Sequence, residues 1–395
     1  ARIPGCGTAA LGAVGLCFPL IIILSAFANL FGSGGAPLFS IYRGKKETEQ
    51  ANRIMNTSFT MVCVSATLLM TIGLVFARPL LVLFGASADA LVYAYPYMML
   101  YLIGTLPSMI AVGMNPFINA QGYSLVGMCS VAIGAAANLL LDPLFIFVFG
   151  LGVQGAAVAT VLSQLLSASF VLLFLTKRAE LRVRFLRKTE FSQCSGYAKN
   201  IVSLGTSGFV MQLTNSLVTI CCNNVLSVTG GDIYISVMTI VSSVRQLVET
   251  PIYALTEGTS PILSYNYGAK NRDRVKKAFR LLLTASLCYS TILWAFIMLF
   301  PQVFAVMFTS DSALLGFTKS ALRIYCACLL LFGIQIACQM TFTSLGKAAN
   351  SIIVAVVRKF VLLLPLIYIM PHMVFNPTTG VYMAEPIADI IAVLF

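Results

Sequence analysis

GAPLFSIYRGKKETEQANRI, residues 35–54, has a counterpart in SPILSYNYGAKNRDRVKKAF, residues 260–279. At a shift of 224 residues, Gly34, Pro37, Ser40, Gly44 and Lys46 fall on Gly258, Pro261, Ser264, Gly268 and Lys270. Under the same shift Glu49 falls on Asp273, Arg53 on Lys277, and Gly122 of AQGYS on Gly346 of SLGKA. Similarity sustained at one fixed spacing is the mark of an internal duplication.

What is duplicated follows from composition. Of 395 residues, 59% are apolar and 10% charged, and the mean hydropathy is +0.92. Soluble domains carry about 25% charged residues, and a helix crossing a bilayer needs ~20 apolar ones. The chain therefore reads as an all-α polytopic membrane protein, which excludes soluble enzymes, nucleic-acid binders and secreted disulfide scaffolds. Proline and glycine spread through the apolar runs favour packed helices over a β-barrel. Spans are expected at about 11–42, 56–77, 92–114, 124–147, 157–176, 200–222, 233–264, 280–300, 318–341 and 349–370, with an eleventh starting near Ala384. Six spans separate each repeated pair, an even number, so the two halves share one topology as a parallel repeat. The expected domains are a bundle over 1–176, a basic linker over 177–199 and a second bundle over 200–395.

The net charge of +12 belongs to loops. Seventeen of 25 basic residues lie in Arg43–Arg53, Lys177–Lys199 and Lys270–Arg280, which the span count places on one side. Short Lys/Arg-rich loops stay cytoplasmic, so the orientation follows without any polyanion partner. Most of the 11 cysteines sit in apolar runs and read as free thiols. No Walker motif follows the glycine-rich FGSGGAP, and no nucleophile or metal set has convincing spacing, so neither ATP coupling nor an enzyme is expected.

Ionisable residues in apolar runs are costly and mark function or pairing. In AANLLLDPLFIF, Asn138 and Asp142 share a helix face at i,i+4, and Pro143 frees a backbone carbonyl beside them. Thr160 in GVQGAAVATVLSQ offers a hydroxyl oxygen from the next span. In SSVRQLVETPIYALTEGTSPI, Arg245 and Glu249 have ion-pair spacing, while Glu257 lies near the same face; Glu249, Glu257 and Asp389 of AEPIADIIAVLF are secondary titratable candidates. The tyrosine- and methionine-rich run YAYPYMMLYLIGTLPSMIAVGMNPF supplies Tyr97 and Met114 as candidates for a cavity that takes bulky apolar cations, against the alternative of an interfacial belt.

Together GTAALGAVGLCFP, the two repeated loops and NLLLDPLFIFVFGLGVQGAAVATVLSQ resemble the MATE family of multidrug and toxic compound extrusion transporters across essentially the whole chain. The resemblance implies two six-helix bundles around a central cavity and antiport of organic compounds, often cationic, against Na⁺ or H⁺, with no cofactor. It implies a cation site at Asn138, Asp142 and Thr160, with Asn115 of MNPFINAQG as a nearby polar residue. The family's first-helix aspartate has no counterpart, and the chain is expected to lack that helix and the end of the last one. Glu257 stands where many relatives have glutamine. A multi-pass protein of the cell membrane, monomeric in the bilayer and taking small organic substrates, is the expectation. A flippase for a lipid or lipid-linked sugar is the alternative, and it would need a surplus of Arg and Lys in its cavity.

Overall fold

A computed structural model describes residues 15–84, 88–186, 190–308 and 312–394; the start of the first expected span and Phe395 lie outside them. The described residues are helical wherever the hydropathy pattern calls for a span. They divide into two compact units, with the boundary between Phe209 and Val210.

Unit 1 contains α1 (Phe18–Gly44), α2 (Thr48–Leu83), α3 (Ala88–Ile103), α4 (Thr105–Ala120), α5 (Ser124–Pro143), α6 (Gly152–Leu173) and the start of α7 (Phe191–Thr229). Unit 2 takes the rest of α7, then α8 (Asp232–Gly268), α9 (Arg272–Leu299), α10 (Pro301–Val306), α11 (Ser312–Tyr325), α12 (Leu329–Ser344), α13 (Ala348–Val356), α14 (Leu364–Met373) and α15 (Pro377–Leu394). Wider π-helical turns follow α5 (Leu144–Val148) and α6 (Phe174–Arg178) and join α13 to α14 (Val357–Leu363). Seven of these segments are single helices long and apolar enough to cross a membrane, and two bent pairs raise the number to nine. The long helix α8 and the terminal α15 carry the charges that lower their hydropathy.

The duplication is visible element by element. α1 and α8 end at Gly44 and Gly268, and α4 and α12 coincide over Thr105–Ala120 and Leu329–Ser344. The matching pairs α3–α4 and α11–α12 are both bent at their junction, by 54° in unit 1 and 47° in unit 2. Even the unusual backbone recurs: Lys46 (φ 64°) matches Lys270 (φ 58°), and Gly122 (φ 90°) matches Gly346 (φ 75°). Left-handed conformation suits glycine but costs an ordinary side chain, so its recurrence at a lysine shows the same turn rebuilt twice.

In unit 1 the helices approach closely through glycine. A Cβ on Gly32 of α1 would stand 2.5 Å from the Gly113 carbonyl oxygen of α4, and one on Gly205 of α7 would collide with the Leu30 carbonyl of α1. Small residues at such crossings bring backbones into contact, the usual means of holding helices together in lipid.

The linker region differs from expectation. α7 starts at Phe191, ahead of the expected residue 200, and residues 179–186 form an irregular segment, neither helix nor strand. Gln121 clamps this segment, donating to the Leu181 carbonyl (3.1 Å) and accepting from the Leu181 N–H (3.0 Å). Asn56 accepts from the Arg184 N–H (2.9 Å), and Arg43 donates to the Ala120 carbonyl (3.0 Å) and the Glu180 carboxylate. The last span also begins earlier than expected, at Pro377.

Candidate functional site

In unit 1, α5 and α6 form a hairpin whose turn is tight because a Cβ on Gly155 would lie 2.6 Å from the Phe145 carbonyl. The hairpin brings three of the sequence candidates together. The Asn138 amide nitrogen donates to Asp142 Oδ1 (3.4 Å) and to Thr160 Oγ1 (3.4 Å). Thr160 spends its own proton on the Ala156 carbonyl (2.9 Å), leaving its oxygen lone pairs available. Both contacts of Asn138 are long, so the group is loosely held, and all three side chains are half-buried. A carboxylate, an amide oxygen and a hydroxyl oxygen within one cluster are hard donors suited to a small cation, and the carboxylate alone suffices for a proton.

Tyr97 of α3 lies within electrostatic reach of Asp142 and stacks on Tyr101 (centroids 6.2 Å apart), whose hydroxyl accepts from Gln164 of α6 (3.4 Å). Tyr97 is nonetheless buried, and Met114 is wholly enclosed in the hydrophobic core of unit 1, where it packs and offers no surface to a ligand. Asn115 is not part of the Asp142 cluster. Its amide nitrogen is committed to α5, donating to the Gly127 carbonyl (2.9 Å) and to Ser130 (2.5 Å).

Unit 2 holds a second polar cluster. Arg245 and Glu249 of α8 make the expected pair (2.6 Å), but Arg245 also reaches Asp389 (2.8 Å) and Glu385 (3.3 Å) of α15. Arg358, carried on the π-helical turn, binds Asp389 through Nε (3.0 Å) and Nη2 (2.6 Å) and Glu385 at 3.2 Å. Lys359 approaches Glu385 at 3.8 Å. The guanidinium groups also lie over the Phe332 ring, at 5.6 Å for Arg245 and 5.4 Å for Arg358. Three bases face three acids, and that balance within apolar runs was a signal available in the sequence. Glu257 stays outside the network and is exposed, with no ion pair among the described residues.

Comparison with known proteins gives one answer at three levels. The MatE family model matches residues 3–144 and 208–369, one segment in each repeat. The chain is 26% identical over 398 residues to a FAD transporter of Shewanella oneidensis, covering 98% of this chain and 85% of that protein. It is 23% identical over 363 residues to the multidrug export protein MepA of Staphylococcus haemolyticus, covering 91% and 78%. A crystal structure of a MATE protein in the bent conformation superposes with a TM-score of 0.92 at 25% identity, over 99% of this chain and 87% of that one.

Proposed function

Since the chain belongs to the MatE family of membrane transporters, we propose that it is a secondary antiporter that exports small organic compounds, often cationic, in exchange for Na⁺ or H⁺ bound at Asp142. The observation that carries this reading is the Asn138–Asp142–Thr160 cluster: the one carboxylate of the α5–α6 hairpin, half-buried, with two neutral oxygens beside it. Coupling arises when the ion binds one conformation better than the other; each tenfold difference in affinity shifts the equilibrium by about 1.4 kcal/mol. Residues 1–176 and 200–395 act as the two bundles, joined by the basic stretch 177–199, and the protein works as a monomer in the cell membrane with its basic loops in the cytoplasm.

The flippase reading finds no support in unit 2, because Arg245, Arg358 and Lys359 each have a carboxylate partner and leave no surplus positive charge for a phosphate.

Efflux of a fluorescent organic cation from vesicles, driven in turn by a Na⁺ gradient and by a pH gradient, identifies the ion. Asp142→Asn keeps the shape and removes the charge, so substrate binding persists while gradient-driven efflux is lost. Unchanged efflux in Asp142→Asn at normal protein levels would exclude the mechanism.

A further inference from the structure

The two copies of the repeated loop differ in charge. Residues 270–280 hold six bases, Lys270, Arg272, Arg274, Lys276, Lys277 and Arg280, and one acid, Asp273. The matching residues 46–56 hold two bases, Lys46 and Arg53, and two acids, Glu47 and Glu49. The second copy thus carries a net charge of +5 where the first carries zero. In unit 1 Arg53 is paired with Glu49 at 2.7 Å, and Arg43, just ahead of the window, is paired with Glu180. None of the six bases in unit 2 has an ion pair among the described residues, and all six are exposed.

Folding does not call for this excess. The same turn, with its left-handed lysine, is built in unit 1 at zero net charge. Asn271 caps α9 by accepting from the Arg274 N–H (3.1 Å), which needs no positive side chain. Arg272 and Arg274 stand in the first turn of α9, where the helix dipole opposes positive charge. Arg272, Lys276 and Arg280 then recur at i,i+4 along one face, a spacing at which like charges repel. Charges that cost the helix stability and find no ion-pair partner inside the protein are accounted for by an anion outside it.

α9 also fixes where that anion lies. Val275, Ala278, Phe279 and Leu282 pack with Leu263 of α8 and Ala337 of α12, which turns the bases outward. On the exposed side the bases end at Arg280, and apolar residues begin with Leu281, 63% exposed, and continue to Ile292, 67% exposed. Since α9 is long and apolar enough to cross a membrane, this change marks its exit from the hydrocarbon. Tyr265 and Tyr267, at the end of α8, are exposed beside the same turn, as aromatic side chains are at a bilayer surface. The basic stripe therefore begins at the level of the lipid headgroups.

We propose that residues 270–280 form a binding surface for anionic phospholipids, with Arg272, Lys276 and Arg280 as its central stripe. The headgroup phosphate accepts hydrogen bonds from the guanidinium and ammonium groups, while the acyl chains lie along the exposed apolar face of α9 from Leu281 onward. A basic segment directly beside a membrane span attracts anionic lipid, each base raising the affinity about fivefold. A zwitterionic headgroup carries its own cation and gains little from the same stripe. The surface belongs to unit 2, since the copy in unit 1 is neutral, and it holds whichever ion drives transport.

Native mass spectrometry of the detergent-purified full chain, titrated with dioleoyl phosphatidylglycerol or dioleoyl phosphatidylcholine, tests this. The wild type should bind phosphatidylglycerol more tightly, and the triple variant Arg272→Gln, Lys276→Gln, Arg280→Gln should lose about 100-fold of that affinity while its binding of phosphatidylcholine stays the same. The matched triple variant of unit 1, Lys45→Gln, Lys46→Gln, Arg53→Gln, removes as much charge and should change the affinity less than about twofold. Equal affinity of the wild type for the two lipids, an unchanged affinity in the unit 2 variant, or equal losses in both variants overturns the proposal. Inorganic phosphate that displaces phosphatidylglycerol at equal concentration would make this a site for a free anion and overturn the lipid assignment. If the triple variant of unit 2 does not fold, Lys276→Gln alone should lower the affinity about fivefold, and an unchanged value overturns the proposal.

Discussion

Thr160 separates the two candidate ions. A bound Na⁺ draws on every oxygen in reach, whereas a proton needs the Asp142 carboxylate alone. Thr160→Val keeps the volume and removes one oxygen, so it should raise the Na⁺ concentration for half-maximal efflux about tenfold, a loss of about 1.4 kcal/mol. The pH midpoint of proton-driven efflux should stay where it is, and Thr160→Ser should behave as wild type. Asn138 and Asp142 were readable from sequence because i,i+4 is a local relation that any helix fulfils. Arg245 to Asp389 was not: the partners stand 144 residues apart, and the balance of buried charges in the sequence does not say which base meets which acid. Met114 was misplaced for a related reason, since residue type marks it as suited to a cavity but only packing decides which face it turns.

Among the elements, the crossing of α1 with α4 depends on Gly32 meeting the Gly113 backbone. Gly32→Ala places a methyl group 2.5 Å from a carbonyl oxygen that cannot swing aside, and should destabilise unit 1 by about 1–3 kcal/mol, read as a lower unfolding temperature in detergent. Gly15, whose added Cβ meets nothing within 4 Å, provides the contrasting substitution. The irregular segment 179–186 depends in the same way on Gln121. Gln121→Ala removes both of its bonds to Leu181 and should increase protease cleavage within the segment several-fold, for about 1–3 kcal/mol of lost local stability. The spans were legible because apolar runs of fixed length leave little choice. This strap was not, because its basic composition read only as a linker, and its anchors Asn56 and Gln121 lie 128 and 60 residues away.

For the molecule as a whole, the turn after α1 and the segment after α6 meet through Arg43 and Glu180, so two of the three basic stretches share one end of unit 1. In the proposed orientation, which rests on the positive-inside rule, that end faces the cytoplasm. Cys194 is a poor reporter because its side chain is buried, but Arg272 in the matching loop of unit 2 is exposed. With the native cysteines replaced, Arg272→Cys should react with a membrane-impermeant thiol reagent only after the cytoplasmic face is opened; labelling of intact cells would reverse the orientation. The two larger hydrophobic cores respect the duplication, one running from Cys17 to Ile201 and the other from Met211 to Ala388. The charge cluster of unit 2 therefore has a history during synthesis. At about 5–20 residues per second, a ribosome makes Arg245 roughly 7–30 s before Asp389 exists. A lone arginine at mid-helix costs about 2.5–3.5 kcal/mol to insert, and during this interval the one carboxylate at hand is that of Glu249, one turn away. Pairing with Glu249 offsets part of that cost until α15 supplies Asp389, the second partner that Arg245 has in the folded protein.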